Sequence, residues 1–236
     1  MSHLKNLKEI SFRERREKFF SKMVEGCENA VAIVPAHSEL IRNDDVVFKY
    51  RQDSNFQYLT GFHEPDAVAV FRNIGGKKEF TLFVRPKDLE KEIWTGFRCG
   101  VDNAVTQYGA DQAFVVEDFD KELAKLLKGA DRLYYSFFRT LHRNGVEYLD
   151  QKVMRLLDEY RRQMWRSGRG LLPLHDTHEI LGEMRLFKSE AEIDRMRKAA
   201  QISARAHCEI MARVKPGITE YQVEALLEYV FLDSGA

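Results

Sequence analysis

The chain has 236 residues, its 37 Lys and Arg balance 37 Asp and Glu, and 44% of it is hydrophobic, with sixteen Phe and nine Tyr. That composition excludes a wholly disordered chain and shows none of the basic excess of a nucleic-acid binder. The apolar runs fall far short of the roughly 20 residues of a membrane span, and Met1-Ser2-His3-Leu4-Lys5 lacks the apolar core of a signal peptide.

Phe12 to Val24 mixes Arg and Glu with Phe19, Phe20, Met23 and Val24, which predicts an amphipathic helix stopped at Gly26. Ala30-Val31-Ala32-Ile33-Val34-Pro35 reads as a buried strand. Asp44-Asp45 and Arg51-Gln52-Asp53 read as a polar loop ahead of an aromatic strand over Ser54 to Phe62, with a turn at Gly61. Ala67–Phe71 and Phe80–Val84 read as two strands paired through the turn Asn73-Ile74-Gly75-Gly76-Lys77. Ala113–Val116 and Arg132–Phe137 are two further strands, with helical spacing at Phe119–Leu127 between them. Gly145 to Arg166 carries Val146, Leu149, Val153, Leu156, Leu157 and Tyr160 on one helical face. Strands alternating with helices as far as Pro173 predict an α/β fold, and the short turn requires an antiparallel pair, hence a mixed sheet.

After Pro173 no strand is expected. Ser189-Glu190-Ala191-Glu192 is a capping box opening a helix to about Val214, Lys215-Pro216-Gly217 breaks it, and Thr219 with Gln222 opens another. Ile193, Met196, Ala200, Ser203, His207, Ile210, Met211 and Val214 form a stripe that must bury against something. Two helices without a sheet read as the start of an incomplete second domain.

Local chemistry is sparse. His175-Asp176-Thr177-His178-Glu179 lacks the His-Glu-x-x-His spacing that turns two imidazoles toward one metal, and reads as a polar linker. Gly75-Gly76-Lys77-Lys78 lacks the P-loop spacing. Arg161, Arg162, Arg166 and Arg169 suit the carboxyl end of a solvated helix. Cys27, Cys99 and Cys208 are few, odd in number and distant, which argues for structural thiols in a reducing compartment. Trp94, in Lys91-Glu92-Ile93-Trp94-Thr95-Gly96, reads as a core anchor, with a ligand-lining position as the alternative. No catalytic constellation is complete.

Longer motifs carry a resemblance. Tyr50-Arg51-Gln52-Asp53-Ser54-Asn55-Phe56-Gln57-Tyr58-Leu59-Thr60-Gly61-Phe62-His63-Glu64-Pro65-Asp66-Ala67, then Phe83-Val84-Arg85-Pro86-Lys87-Asp88 and Glu92–Gly96, resemble the aminopeptidase P N-terminal domain. Glu183-Met184-Arg185-Leu186-Phe187-Lys188-Ser189 resembles the entry to that family's catalytic domain. The chain is thus similar to bacterial-type Xaa-Pro aminopeptidases. The resemblance implies an N-terminal domain over 1–173, a linker over 174–188 and the first two helices of a pita-bread metallopeptidase domain over 189–236. The N-terminal domain is expected to be a creatinase-like mixed β-sheet flanked by helices.

For the whole protein the resemblance implies a cytoplasmic homo-oligomer that removes the residue preceding proline from peptides. It uses two divalent metal ions, manganese by family habit, and has no nucleic-acid or membrane partner. The family's five metal ligands match none of these residues, so this segment is expected to bind no metal, hold no catalytic residue and be inactive alone. Its expected part is to supply oligomer contacts and substrate-pocket residues to a neighbouring subunit. Trp94 resembles the tryptophan that closes over the substrate, Asp45 the acid facing its amino end, and Arg169 an arginine near the pocket. The alternatives are a buried Trp94, a loop-capping Asp45 and a surface Arg169. For the protein they are an Xaa-Pro dipeptidase or a non-catalytic scaffold of the same fold.

Overall fold

The computed structural model of the chain describes residues 10–137, 146–164 and 171–235. Contacts divide the chain into two compact units, one of Ser11–Arg185 and one built on Leu186–Ala236.

The larger unit contains a six-stranded sheet in the order β6-β5-β4-β1-β7-β8. Its strands are β1 (Ala30–Pro35), β4 (Val68–Ile74), β5 (Lys77–Val84), β6 (Gln112–Val115), β7 (Arg132–Tyr134) and β8 (Leu174–His175). β4 is antiparallel to both β1 and β5, while β1–β7, β5–β6 and β7–β8 are parallel. The sheet is therefore mixed, as the short turn requires. Gly75 and Gly76 close the β4–β5 hairpin with φ of 58° and 79°, the positive values that a two-residue turn asks of both positions.

Side chains alternate across this sheet. Ala30, Ala32, Val34, Ala69 and Phe71 face one layer, where the small alanines leave room for large neighbours. That layer is α1 (Phe12–Met23), α2 (Ser54–Thr60), α4 (Gly100–Tyr108) and α7 (Thr177–Leu186), bringing Phe19, Phe20, Met23, Phe56, Leu59, Ala104, Ile180, Leu181 and Met184. Phe71 and Phe80 stack at 5.0 Å, and Phe19 meets Phe71 edge-on at 5.2 Å. Val31, Ile33, Val68, Val70 and Phe83 face the other layer, α5 (Phe119–Leu126) and α6 (Val146–Met164).

Three expectations change. Ser54 to Phe62 is not an aromatic strand: Ser54–Thr60 is α2, because the Asp53 carboxylate caps the Asn55 and Phe56 amides and Phe56 and Leu59 share one buried face. The expected polar stretch after Pro173 contains β8, whose Leu174 and His175 pair with Leu133 and Tyr134, and then α7, which buries Ile180, Leu181 and Met184. The charges of 175–179 are those of a strand end and a helix start. The expected loop at Asp44-Asp45 is the turn of a small hairpin between β2 (Ile41–Asn43) and β3 (Val46–Val47).

In the smaller unit, α8 (Glu190–Arg213) starts on the Ser189–Glu192 capping box and packs with α9 (Glu220–Asp233), which starts where Thr219 and Gln222 require. Ile202, Ala206 and Val230 are buried, whereas Met196, Met211 and Val214 of the expected stripe are exposed. Among the described residues no helix is long and apolar enough to cross a membrane.

Candidate functional site

Because β4 alone runs against the other strands, one end of the sheet gathers the carboxyl ends of β1, β5, β7 and β8 and the amino end of β4. In open α/β sheets ligands collect outside the carboxyl ends of the strands. Polar side chains from distant parts of the sequence meet there.

The Gln52 amide links the segments after β1 and before β4. Its Oε1 accepts from the backbone amides of His37 (3.1 Å) and Asp53 (2.8 Å), and its Nε2 donates to the Phe62 (3.2 Å) and Glu64 (2.9 Å) carbonyls. Tyr50 Oη donates to the His37 carbonyl at 3.2 Å, and burial raises its pKa so that it remains a donor. Asp53 Oδ2 stands 3.8 Å from His37 Nε2.

The Glu64 carboxylate fixes the segment after β5. It accepts the Cys99 amide at 2.5 Å and the Arg85 guanidinium at 3.3 Å. Glu92 accepts the Arg98 amide at 3.2 Å, and Lys87 Nζ lies 4.6 Å from the centre of the Phe97 ring. The Cys99 thiol is pushed up to about 11, by burial first and the Glu64 charge second, so it is no nucleophile near neutral pH.

Between these anchors lies α3 (Leu89–Thr95), capped by the Asp88 carboxylate on the Lys91 amide at 3.1 Å. Backbone and side-chain bonds with Lys91 hold the Asp88 carboxyl below its ordinary value. Trp94 projects from α3 at 88% exposure, beside Ile93 and Leu89 at 79% and 71%. The core-anchor reading of Trp94 is therefore wrong: no residue of this seven-residue helix is buried, because its ends are held by polar contacts rather than by a packed face. Asp45 is exposed in the β2–β3 turn, next to Asp44 at φ 44°. No hydrogen bond or ion pair joins Asp45 and Trp94, and Arg169 lies outside the described residues.

After β7 and β8, the Ser136 hydroxyl donates to the Asp176 carboxylate and shares a 2.5 Å contact with the Thr177 hydroxyl. Asp176 also accepts the His178 amide at 2.8 Å, and His175 Nδ1 pairs with Glu179 at 3.2 Å. The residues of 175–179 are thus engaged in joining β8 to α7. Among the described residues no three His, Cys, Asp or Glu side chains converge, so this donor set does not fit a metal ion and no catalytic step is assigned to one here. The Glu64–Arg85 pair does not stand out in the sequence, since the two lie in separate segments and only the antiparallel pairing of β4 with β5 brings them together.

The family described as "Aminopeptidase P, N-terminal domain" matches residues 12–134, and the one described as "Metallopeptidase family M24" matches residues 194–236. The Xaa-Pro aminopeptidase of Escherichia coli (strain K12) is 34% identical over 95% of this chain and 49% of its own length. Aminopeptidase PepP of Pseudomonas aeruginosa superposes with a TM-score of 0.83 at 40% identity, covering 96% of this chain and 50% of that one. A zinc-substituted E. coli aminopeptidase P in complex with product gives 0.84 at 34% identity, covering 97% and 51%. The chain spans about half the length of the curated relatives it matches.

Proposed function

The chain belongs to the aminopeptidase P family, and on that premise we propose that it is the N-terminal part of a metallo-aminopeptidase that removes the residue preceding proline from peptides. The observation that carries this reading is the order of two family segments on one chain: the aminopeptidase P N-terminal domain, then the first helices of a metallopeptidase domain. The metallopeptidase part supplies the divalent metals, manganese in our reading. Such ions acidify the attacking water and stabilise the oxyanion it forms. None of the chain's own described residues is assigned a ligand role, and the 236-residue chain alone is inactive in this proposal.

Within it, the N-terminal domain forms the contacts of a cytoplasmic homo-oligomer and lends Trp94, Asp45 and Arg169 to a neighbouring subunit's pocket. The exposure of Trp94 on a helix pinned at both ends supports this role. A side chain of this kind covers an apolar proline ring well, and a carboxylate such as Asp45 suits the free ammonium of a peptide.

The test has two parts. The intact mass of the native protein in its source cells is measured first, and a value well above 27.6 kDa is expected. The native protein is then assayed with manganese on a tripeptide bearing proline second and on the matching Xaa-Pro dipeptide. Cleavage of the tripeptide is expected, and cleavage of the dipeptide alone would make the protein a dipeptidase. A native mass of 27.6 kDa with no cleavage of either would replace catalysis by a binding role.

A further inference from the structure

We propose that Gln52 is a positioning residue: with Tyr50 it clamps the two ends of the β2–β3 hairpin and so fixes where Asp45 stands. The proposal rests on the reading of Asp45 as a contact for the amino end of the substrate, and adds what holds that carboxylate in place.

Burial does not set the position of the hairpin. Every residue from Leu40 to Lys49 is exposed, among them Ile41, Val46, Val47 and Phe48 at 45–56%. The Phe48 amide donates to the Leu40 carbonyl at 2.8 Å, which lengthens the hairpin without tying it to the sheet. Its placement is therefore decided at its root, where the chain leaves at His37 and returns at Tyr50.

At that root both backbone groups of His37 are held. Its amide donates to Gln52 Oε1 at 3.1 Å, and its carbonyl accepts the Tyr50 hydroxyl at 3.2 Å and the Asp66 amide at 3.0 Å. His37 Nδ1 faces the Arg51 carbonyl at 3.1 Å. The outgoing end of the hairpin is thus bonded to its returning end. Gln52 fixes both to the segment before β4, through the Phe62 and Glu64 carbonyls. A primary amide has two N–H donors and an oxygen with two lone pairs, and here all four places are filled. An ionised Glu of the same length has no donor, and Met has no strong polar atom, so neither can replace it.

The test uses Q52M and Y50F, which keep the side-chain bulk and remove the polar atoms. Y50F leaves the His37 carbonyl bonded to the Asp66 amide, so it strands no backbone group there. In the 236-residue chain, hydrogen exchange read by mass spectrometry should quicken about tenfold over residues 37–50 in Q52M, less in Y50F, and in both by a larger factor than in β4 and β5. The native protein is then assayed with manganese on the tripeptide bearing proline second. D45A should raise KM about tenfold, and Q52M about threefold with kcat little changed. Q52M added to D45A should raise KM no further, since Gln52 acts through Asp45. G75A, a strained turn at the other end of β4, should leave KM unchanged. An unchanged KM in D45A refutes the pocket reading of Asp45, and the positioning role falls with it. A KM raised in D45A but not in folded Q52M or Y50F, or raised by Q52M equally with and without Asp45, overturns the positioning role alone. Exchange that quickens no more over 37–50 than over β4 and β5 overturns the clamp itself.

Discussion

Replacing Glu64 by alanine tests whether its carboxylate holds the segment that carries α3. The mutation leaves the Glu64 carbonyl, and hence its bonds to Gln52 and Tyr50, in place. It removes the acceptor of the Cys99 amide at 2.5 Å and the partner of Arg85 at 3.3 Å. The ion pair is well shielded, with side chains 13% and 16% exposed, and Arg85 already has one unpartnered nitrogen. A hydrogen bond to a charged group contributes about 1.5–3 kcal/mol, and removing one partner of a buried pair costs about 3–5 kcal/mol. The two losses overlap, since both act through one carboxylate, so E64A should cost about 3–5 kcal/mol. E64Q keeps an oxygen for the Cys99 amide and should cost about half as much. With a urea m-value near 2 kcal/mol/M, the E64A midpoint should fall by about 1.5–2.5 M, read by circular dichroism. A drop below about 0.5 M would refute the reasoning, because Arg85 would then be equally well placed facing water.

Gly61 closes α2 at φ 68°, where a Cβ would stand 2.6 Å from the Phe12 ring, whereas Gly75 at φ 58° has open space. G61A should therefore lose more stability in urea than G75A, whose cost is the left-handed backbone alone, about 1–2 kcal/mol. With its thiol near 11, Cys99 holds about one thiolate per thousand molecules at pH 8, so iodoacetamide should modify exposed Cys208 first and Cys99 only on unfolding, as read by peptide mass mapping. Glu79 is held below the ordinary carboxylate range by its hydrogen bond to Lys77, then by Arg72. Its stabilisation is present above the unfolded value of about 4.3 and lost as pH falls through the lower native value. The stability gap between wild type and E79Q should narrow as urea titrations move from about pH 6 to pH 3.

What the sequence reveals follows the range of the interactions involved. Strands β1, β4 and β5 are apolar runs bounded by turn residues, and α8 and α9 carry their capping boxes in four consecutive residues, so local pattern suffices. The α2 segment fails that test. Phe56, Tyr58 and Phe62 fit a strand by composition, and only the Asp53 cap and the burial of Phe56 with Leu59 make it a helix. In α7 the spacing of Ile180, Leu181 and Met184 is helical in the sequence too, but the charges before it mask the signal. The Glu64–Arg85 pair has no local signature, because it exists only once β4 and β5 pair antiparallel.

The structure around Trp94 goes a step further than the motif that drew attention to it. A short helix ordinarily holds its place by burying a face, since a few backbone bonds barely offset the entropy of ordering it. α3 buries no residue. It is held instead by Asp88 at its start, Glu92 on the Arg98 amide and Glu64 on the Cys99 amide. Three carboxylates thus fix a helix whose apolar side chains, Leu89, Ile93 and Trp94, all face outward. The outward apolar side chains add nothing by burial to the stability of their own unit. Such an arrangement suits a surface pre-ordered for a contact, because rigidity imposed beforehand lowers the entropy lost on association. W94A should therefore leave the urea midpoint unchanged within about 0.5 kcal/mol while weakening peptide hydrolysis by the native protein, chiefly through KM. A marked loss of stability in W94A would mean that Trp94 is packed after all, and the pocket role would lose its physical support.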